Sequence, residues 1–378
     1  MKVALVHDYL NQYGGGERVL EAMAEIWPEA PIYTSLYDRK LMDSWLKIDP
    51  SRIKTNFVEK LPFSYSLNKH YFFLYPLAFQ LTDTKDADVV ISISSYAAKF
   101  VKAKKGSVHV AYVNTPPRFL YGYDQELTGL RHRSFDRYLE PIYKLVVPPM
   151  KHLLKRADQN SVKKVDFLVA NSQEIKKRIA KDYQRDSFVI YPPVDTEKFK
   201  HQVPSTKQQN YYLVVSRLGG YKKIDIVIQA FNQLGKKLKI IGIGPELPKL
   251  KEAAKSNIEF LGRVSDTEMV KQMLACTALV FPTEEDFGIA PVEAMAAGKP
   301  VIAYRKGGAL ETVVEGKTGT FFDYQSPEAI IKAIRKFDPK KFSAEDCRRQ
   351  ASKFSKEEFQ TKFKFFVEEA RQAKTNGR

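Results

Sequence analysis

Short apolar runs of strand length alternate with helical runs along almost the whole chain, and the pattern occurs twice. VALVH (3–7) is followed by a glycine loop and ERVLEAMAEIW (17–27). ADVVISIS (87–94), VHVAYV (108–113) and DFLVANS (166–172) are further apolar runs of the first half. The second half has YYLVVSR (211–217), KLKIIGIG (237–244), IEFLG (258–262), ALVFP (278–282) and PVIAY (300–304). Helical runs such as KIDIVIQAFNQL (223–234) and SDTEMVKQMLACT (265–277) intervene. Parallel strands need long crossovers, usually helices, and those helices cover both sheet faces. The expected class is therefore α/β, with two doubly wound parallel sheets.

The seam is expected in 191–210, which is rich in proline, lysine and polar residues. That divides the chain into domains at 1–195 and 196–354. An amphipathic helix follows over 355–372, with Phe359, Phe363, Phe366 and Val367 near one face. A length of 378 residues suits two such domains. Open sheets of this kind bind ligands at the carboxyl ends of their strands, so a ligand in the cleft between the domains is expected.

Composition narrows the partners. Hydrophobic residues make up 44% and no run reaches the roughly 18 apolar residues of a membrane helix. The N-terminal apolar run, about four residues, is too short for a signal peptide. Cys276 and Cys347 are the only cysteines and form no CxxC or Cys/His cluster, which favours a reducing cytoplasm. The net charge of +17 attracts phosphate-bearing partners of any kind. The basic residues are spread out and no RNP, zinc-finger or basic-zipper pattern is present, so specific nucleic-acid binding is not expected.

Four stretches carry candidate chemistry. YGGGERV (13–19) lets a backbone approach a ligand beside a helix N-terminus, which favours anions. It also suits any tight βα turn, and it is not the GxGxxG of dinucleotide enzymes. In SRLGGYKKID (216–225), Arg217 closes a strand and Lys222 opens a helix, so two cations could clamp a diphosphate. They could equally be solvated loop residues. IIGIGPEL (240–247) permits close backbone packing, or is only a turn. In FPTEEDFGIAPVEAMAAGKPVIAYRKGGALETV (281–313), Pro291 and Gly298 bound a helix of about two turns. Glu285 then precedes the helix and Glu293 falls in its first turn. The N–H groups of Phe287, Gly288, Ile289 and Ala290 are expected to face the ligand. Taken singly, Glu293 could serve only the helix dipole, and Glu285 could be one of a solvated acidic run.

Glu285-x7-Glu293, the AxAxGxPV that follows it, the Gly-Gly loop, SRLGGYKKID and GRVSD (262–266) together resemble the retaining glycosyltransferases of family 4. NTPPRFLY (114–121) is similar to a Thr-Pro-Pro-Arg element of the bacterial branch that mannosylates lipid-linked polysaccharide precursors. The resemblance covers nearly the whole chain. It implies the GT-B fold, in which two Rossmann-like domains face a central cleft and the C-terminal helix, 355–378 here, crosses back to the N-terminal domain. It implies an N-terminal acceptor domain and a C-terminal donor domain. Arg217 and Lys222 would neutralise the departing diphosphate. Glu293 would hold the ribose, Glu285 the transferred sugar, and the Val264 backbone the base. Phe287 to Ala290 would face sugar and phosphate, and Gly15 and Gly16 the phosphates. The implied donor is a nucleotide sugar, GDP-mannose in the first place, used without metal or other cofactor.

Relatives often carry histidine before Thr-Pro-Pro-Arg, where this chain has Asn114, which cannot shuttle a proton. Asn114 and Arg118 are taken as acceptor contacts, with His7 as the reserve histidine and His109 as a poor substitute. Asp86-Ala-Asp88 matches the DxD of metal-dependent transferases, but it precedes a strand and is set aside. KLPFSYSLNKHYFFLYPLAFQL (60–81) sets Tyr71, Phe72, Phe73, Tyr75 and Phe79 near Lys60, Lys69 and His70. LRHRSFDRYLEPIYKLVVPPMKHLLKRADQNSVKK (130–164) adds cations. Both suggest docking on an anionic cytoplasmic membrane face and a polyprenyl-diphosphate-linked glycan acceptor, or else core aromatics and solvated lysines. A UDP-sugar transferase of the same fold and a non-catalytic sugar-nucleotide or glycan-binding protein remain the alternatives.

Overall fold

A computed structural model describes residues 1–68, 70–123, 136–200 and 210–376. The chain divides into two compact units, Met1–Pro193 with Phe359–Arg378, and Val194–Glu358. Residues 130–135 of the basic stretch, 201–209 of the proline-rich stretch and Lys69 lie outside the described residues.

In the first unit the strands are β1 (Val3–His7), β2 (Ile32–Thr34), β3 (Ile53–Thr55), β4 (Val89–Ser94), β5 (Val108–Val113), β6 (Phe167–Ala170) and β7 (Phe188–Val189). They pair in parallel in the order β3-β2-β1-β4-β5-β6-β7. β1, β4 and β5 are buried at every position, as expected of strands covered on both faces, and β4 and β5 bury Ser92, Ser94 and His109 along with their apolar residues. β2, β3 and β7 escape sequence detection because two or three residues carry no periodicity. The helix Lys356–Asn376 brings Phe359, Phe363 and Val367 into this core, where the two rings lie edge-on to Tyr112 at 5.9 Å. Phe366 is partly buried and stands against Phe188 at 4.9 Å.

The second unit has β8 (Tyr212–Val215), β9 (Leu238–Ile241), β10 (Ile258–Gly262), β11 (Ala278–Phe281), β12 (Val301–Tyr304) and β13 (Gly319–Phe322). All pairings are parallel, in the order β10-β9-β8-β11-β12-β13. β13 was hidden in the sequence by its glycine and half-exposed pattern. Both sheets have a switch point where the chain reverses its direction of travel, between β1 and β4 in one and between β8 and β11 in the other. At such a point two loops diverge from neighbouring strand ends and leave a crevice.

The aromatic segment divides between the two readings open for it. Tyr75 and Phe79 are core residues, Tyr71 and Phe72 pack against that core, and Phe73 is exposed. Phe63, Tyr65, Leu77 and Leu81 form the rest of the exposed apolar surface there. A six-residue helix, Tyr75–Gln80, turns Tyr75 and Phe79 inward, because residues four apart share a face.

Candidate functional site

The loops that leave β8 and β11 meet. Lys222 Nζ forms an ion pair with Glu285 Oε1, both side chains being largely withdrawn from solvent. The ammonium also lies over the Tyr221 ring, 4.6 Å from its centroid, and Thr283 Oγ1 donates to the Lys222 carbonyl at 3.0 Å. Lys222 does not open the helix, as the sequence suggested. It ends a 3₁₀ turn, Gly220–Lys222, and Lys223 at φ +55° separates it from the helix Ile224–Leu234. The left-handed residue turns the chain, so Lys222 points back over the strand ends instead of continuing the helix.

The neighbouring turns are built of glycine for steric reasons. A Cβ at Gly242 would lie 1.8 Å from the Ser216 carbonyl oxygen, and one at Gly244 2.3 Å from that of Leu218. The Gly-x-Gly turn after β9 thus carries the β8 end that bears Arg217, and Leu218 N–H donates to the Ile243 carbonyl at 3.0 Å. Arg217 itself is exposed.

The helix Ile289–Ala296 begins at Gly288, whose φ of +84° and missing side chain leave the helix without a side-chain cap. Its first turn offers N–H groups and a positive dipole end. Phe287 is buried against Phe354 at 5.5 Å and anchors the loop, while Gly288, Ile289 and Ala290 are partly exposed. Glu293 is not in the first turn. It is the fifth residue of the helix, is buried, and pairs through Oε1 with Lys198 Nζ at 2.7 Å. A simple dipole role for Glu293 is thereby replaced by a specific ion pair. Lys198 had no sequence signal, because its partner lies 95 residues away. Val264 follows β10, the edge strand two places from β8.

In the first unit, His7, Gly16 and Asn114 come together at the switch point. A Cβ on Gly16 would lie 3.3 Å from Asn114 Nδ2 and 3.4 Å from His7 Nε2. Gly15 and Gly16 open the helix Gly15–Ile26, and Glu17 in its first turn is buried 4.0 Å from His7 Nε2. His7 Nδ1 is buried and has no hydrogen-bond partner among the described residues. Asn114 Nδ2 donates to Ser95 Oγ at 3.4 Å, and the Asn114 carbonyl accepts from Asn171 Nδ2 at 2.9 Å. Arg118 begins the short helix Arg118–Tyr121.

Sequence reasoning overlooked Asp8. Its buried carboxylate accepts four backbone N–H groups, those of Ser95, Tyr96, Ala97 and Ala98, at 2.6–2.8 Å. This fixes the loop after β4 beside His7. The only signal was an acidic residue directly following a buried strand. His109 lies inside β5, with Ser92 Oγ 2.9 Å from its Nε2, and burial lowers its pKa to about 4. Asp88 accepts from the Lys2 backbone N–H and Asp86 pairs with Lys104. No His/Cys/Asp/Glu group able to hold a metal is found among the described residues.

Residues 13–198 match the family described as Glycosyltransferase Family 4, and residues 195–354 that described as Glycosyl transferases group 1. An uncharacterized glycosyltransferase of Methanocaldococcus jannaschii is 31% identical over 214 residues, 54% of this chain and 59% of that protein. The GDP-mannose-dependent alpha-(1-6)-phosphatidylinositol monomannoside mannosyltransferase of Mycolicibacterium smegmatis is 30% identical over 182 residues, 40% of this chain and 48% of its own. The chain thus spans about half the length of the curated relatives it matches. Among solved structures, Anabaena HepE in complex with UDP and glucose superposes with a TM-score of 0.72 at 18% identity, covering 97% of this chain and 99% of that one.

Proposed function

This chain belongs to the GT-B glycosyltransferases, with a family 4 N-terminal half and a group 1 C-terminal half, and from that we propose that it is a retaining hexosyltransferase moving mannose from GDP-mannose to a lipid-linked glycan. The observation that carries the reading is the Lys222–Glu285 pair at the β8/β11 switch point, beside a helix start that lacks a side-chain cap.

In this reading the pair is an exchangeable counter-ion arrangement. Lys222, with Arg217, meets the diphosphate, whose charge grows as the glycosidic bond breaks. Glu285 is then released to accept hydroxyls of the sugar. The N–H groups of Phe287 to Ala290 face phosphate and sugar, Glu293 holds the ribose, and the Val264 backbone borders the base. These cations and the helix start supply positive charge without a divalent metal. For the first unit the same reading assigns Gly15 and Gly16 a phosphate-binding role and Asn114, Arg118 and His7 an acceptor-binding role. A front-face transfer, in which the leaving phosphate oxygen takes the acceptor's proton, needs no proton-shuttling histidine at position 114.

The acceptor is a polyprenyl-diphosphate-linked glycan, met at the inner face of the cell membrane by a peripherally bound cytoplasmic protein. The exposed Phe63, Tyr65, Phe73, Leu77 and Leu81, with Lys60 and His70 nearby, support this. Apolar side chains enter the headgroup boundary while cations meet anionic lipid. Among the described residues no helix is long and apolar enough to cross a membrane.

The test is calorimetric titration with GDP, UDP, GDP-mannose and UDP-glucose in EDTA, followed by turnover of the bound donor. GDP and GDP-mannose are expected to bind. Binding of UDP species instead moves the donor class, and binding of none in folded protein rejects the site.

A further inference from the structure

We propose that Lys198 is a positioning residue for Glu293, and that it sets how strongly the site selects a nucleotide with ribose hydroxyls over one without them. The inference rests on the assignment of Glu293 to the ribose.

Glu293 is buried in the middle of its helix, where every residue from Pro291 to Ala296 is buried. A carboxylate withdrawn from water in such surroundings is costly unless a cation and hydrogen bonds compensate. Lys198 supplies the cation at 2.7 Å, with its own side chain only 16% exposed. A carboxylate offers about four lone-pair sites, so an ammonium on Oε1 does not preclude acceptance of two adjacent hydroxyls. What the ammonium adds is a single orientation of the acceptor oxygens, set before the ligand arrives. Hydrogen bonds to a preoriented charged acceptor are stronger than those to one that must first be ordered.

Lys198 is itself well held. The turn Glu197–Phe199 has Phe199 buried beneath it, and the ammonium lies 5.2 Å from that ring's centroid. Asp195 Oδ1 accepts the Lys198 backbone N–H at 3.3 Å. Just before the turn, Val194 exchanges two backbone hydrogen bonds with Phe354 and Lys356 at 3.0 and 3.1 Å. The cation therefore sits on fixed backbone, as a positioning group must.

The experiment measures binding of GDP and UDP, each beside its 2′,3′-dideoxy analogue, to wild type, Lys198→Met, Lys198→Arg, Lys198→Gln and Glu293→Gln. Folding is followed by thermal melting. Wild type is expected to prefer the ribonucleotide by about tenfold or more. Lys198→Met should reduce that preference to about threefold or less, and Lys198→Arg should restore most of it. If Lys198→Met does not fold, Lys198→Gln serves in its place and should show the same loss. A merely structural lysine would lower melting temperature and affinity for both nucleotides together, leaving the ratio intact, and that result overturns the proposal. If Glu293→Gln loses the preference while Lys198→Met keeps it, Lys198 is dismissed and the role of Glu293 stands. If Glu293→Gln keeps the preference, or wild type shows none, the ribose assignment falls first and takes the inference with it.

Discussion

The backbone N–H of Gly308 donates to the carbonyl oxygen of Glu285 at 2.8 Å. The Gly-Gly loop after β12 is thus the surface on which the Glu285 loop rests. A Cβ at Gly307 would lie 2.3 Å from the Glu285 carbonyl oxygen, and one at Gly308 2.2 Å from that of Phe287. Neither atom belongs to a flexible side chain, so the loop itself must move. Gly308→Ala is expected to lower turnover about tenfold or more, since small displacements of reacting groups cost that much. Leu310→Ala, an exposed neighbour, should change it little. Equal turnover in both variants would show that the loop position is unimportant.

Lys222 and Glu285 should behave as a unit. Lys222→Met and Glu285→Gln are each expected to lower kcat by about 10²-fold, the scale of a lost charge-stabilising group. The double variant should be little worse than the poorer single, because either change already removes the exchange between counter-ions. Independent, multiplicative losses in a double-mutant cycle would contradict this coupling.

His109 predicts an acid limb in stability. Its pKa is lowered to about 4 in the folded protein by burial, against 6.5 in the unfolded chain. Between those values the unfolded state binds more protons, so stability falls as pH drops through 6.5 toward 4. The full effect is about 3 kcal/mol. Urea unfolding at pH 7 and pH 5 should show a loss that His109→Gln largely removes, even though that variant starts less stable. An unchanged slope would mean that the carboxylates alone govern the acid limb.

The exposed apolar surface of 60–81 predicts lipid binding. The protein should float with vesicles containing phosphatidylglycerol at low salt and be released by salt, since charge attraction is screened. Phe63→Ser with Leu81→Ser should weaken binding several-fold while leaving the melting temperature nearly unchanged, both side chains being exposed. Tyr75→Ser should instead destabilise the fold, because that ring is core. Absence of flotation by the wild-type protein rejects the membrane proposal.

The cysteines predict chemical quiet. Burial pushes the Cys276 thiol up to about 12 and the Cys347 thiol to about 11. Native protein should react with a thiol reagent at pH 8 only as fast as it unfolds, and denatured protein at once. Rapid labelling in the native state would show that one of them opens to solvent.

Much of this was legible in the sequence. β1 and β5 occupy the residues their apolar runs marked, because strands buried on both faces need no context to be recognised, and the edge strand β10 also falls where its run placed it. Pro291 and Gly298 bounded their helix, since both act through local backbone geometry. The charged residues that define the candidate site were visible by type and loop position. Their partners were not. Lys222 and Glu285 are 63 residues apart and Lys198 and Glu293 are 95 apart, and nothing between them in the chain records the pairing. His7, Gly16 and Asn114 likewise meet only because the sheet sets β1 beside β4 and β4 beside β5. Side-chain periodicity and turn chemistry are local properties, and a chain states them directly. Which cation neutralises which carboxylate, and which aromatic turns inward, depends on strand order and burial, which exist only once the sheets have formed.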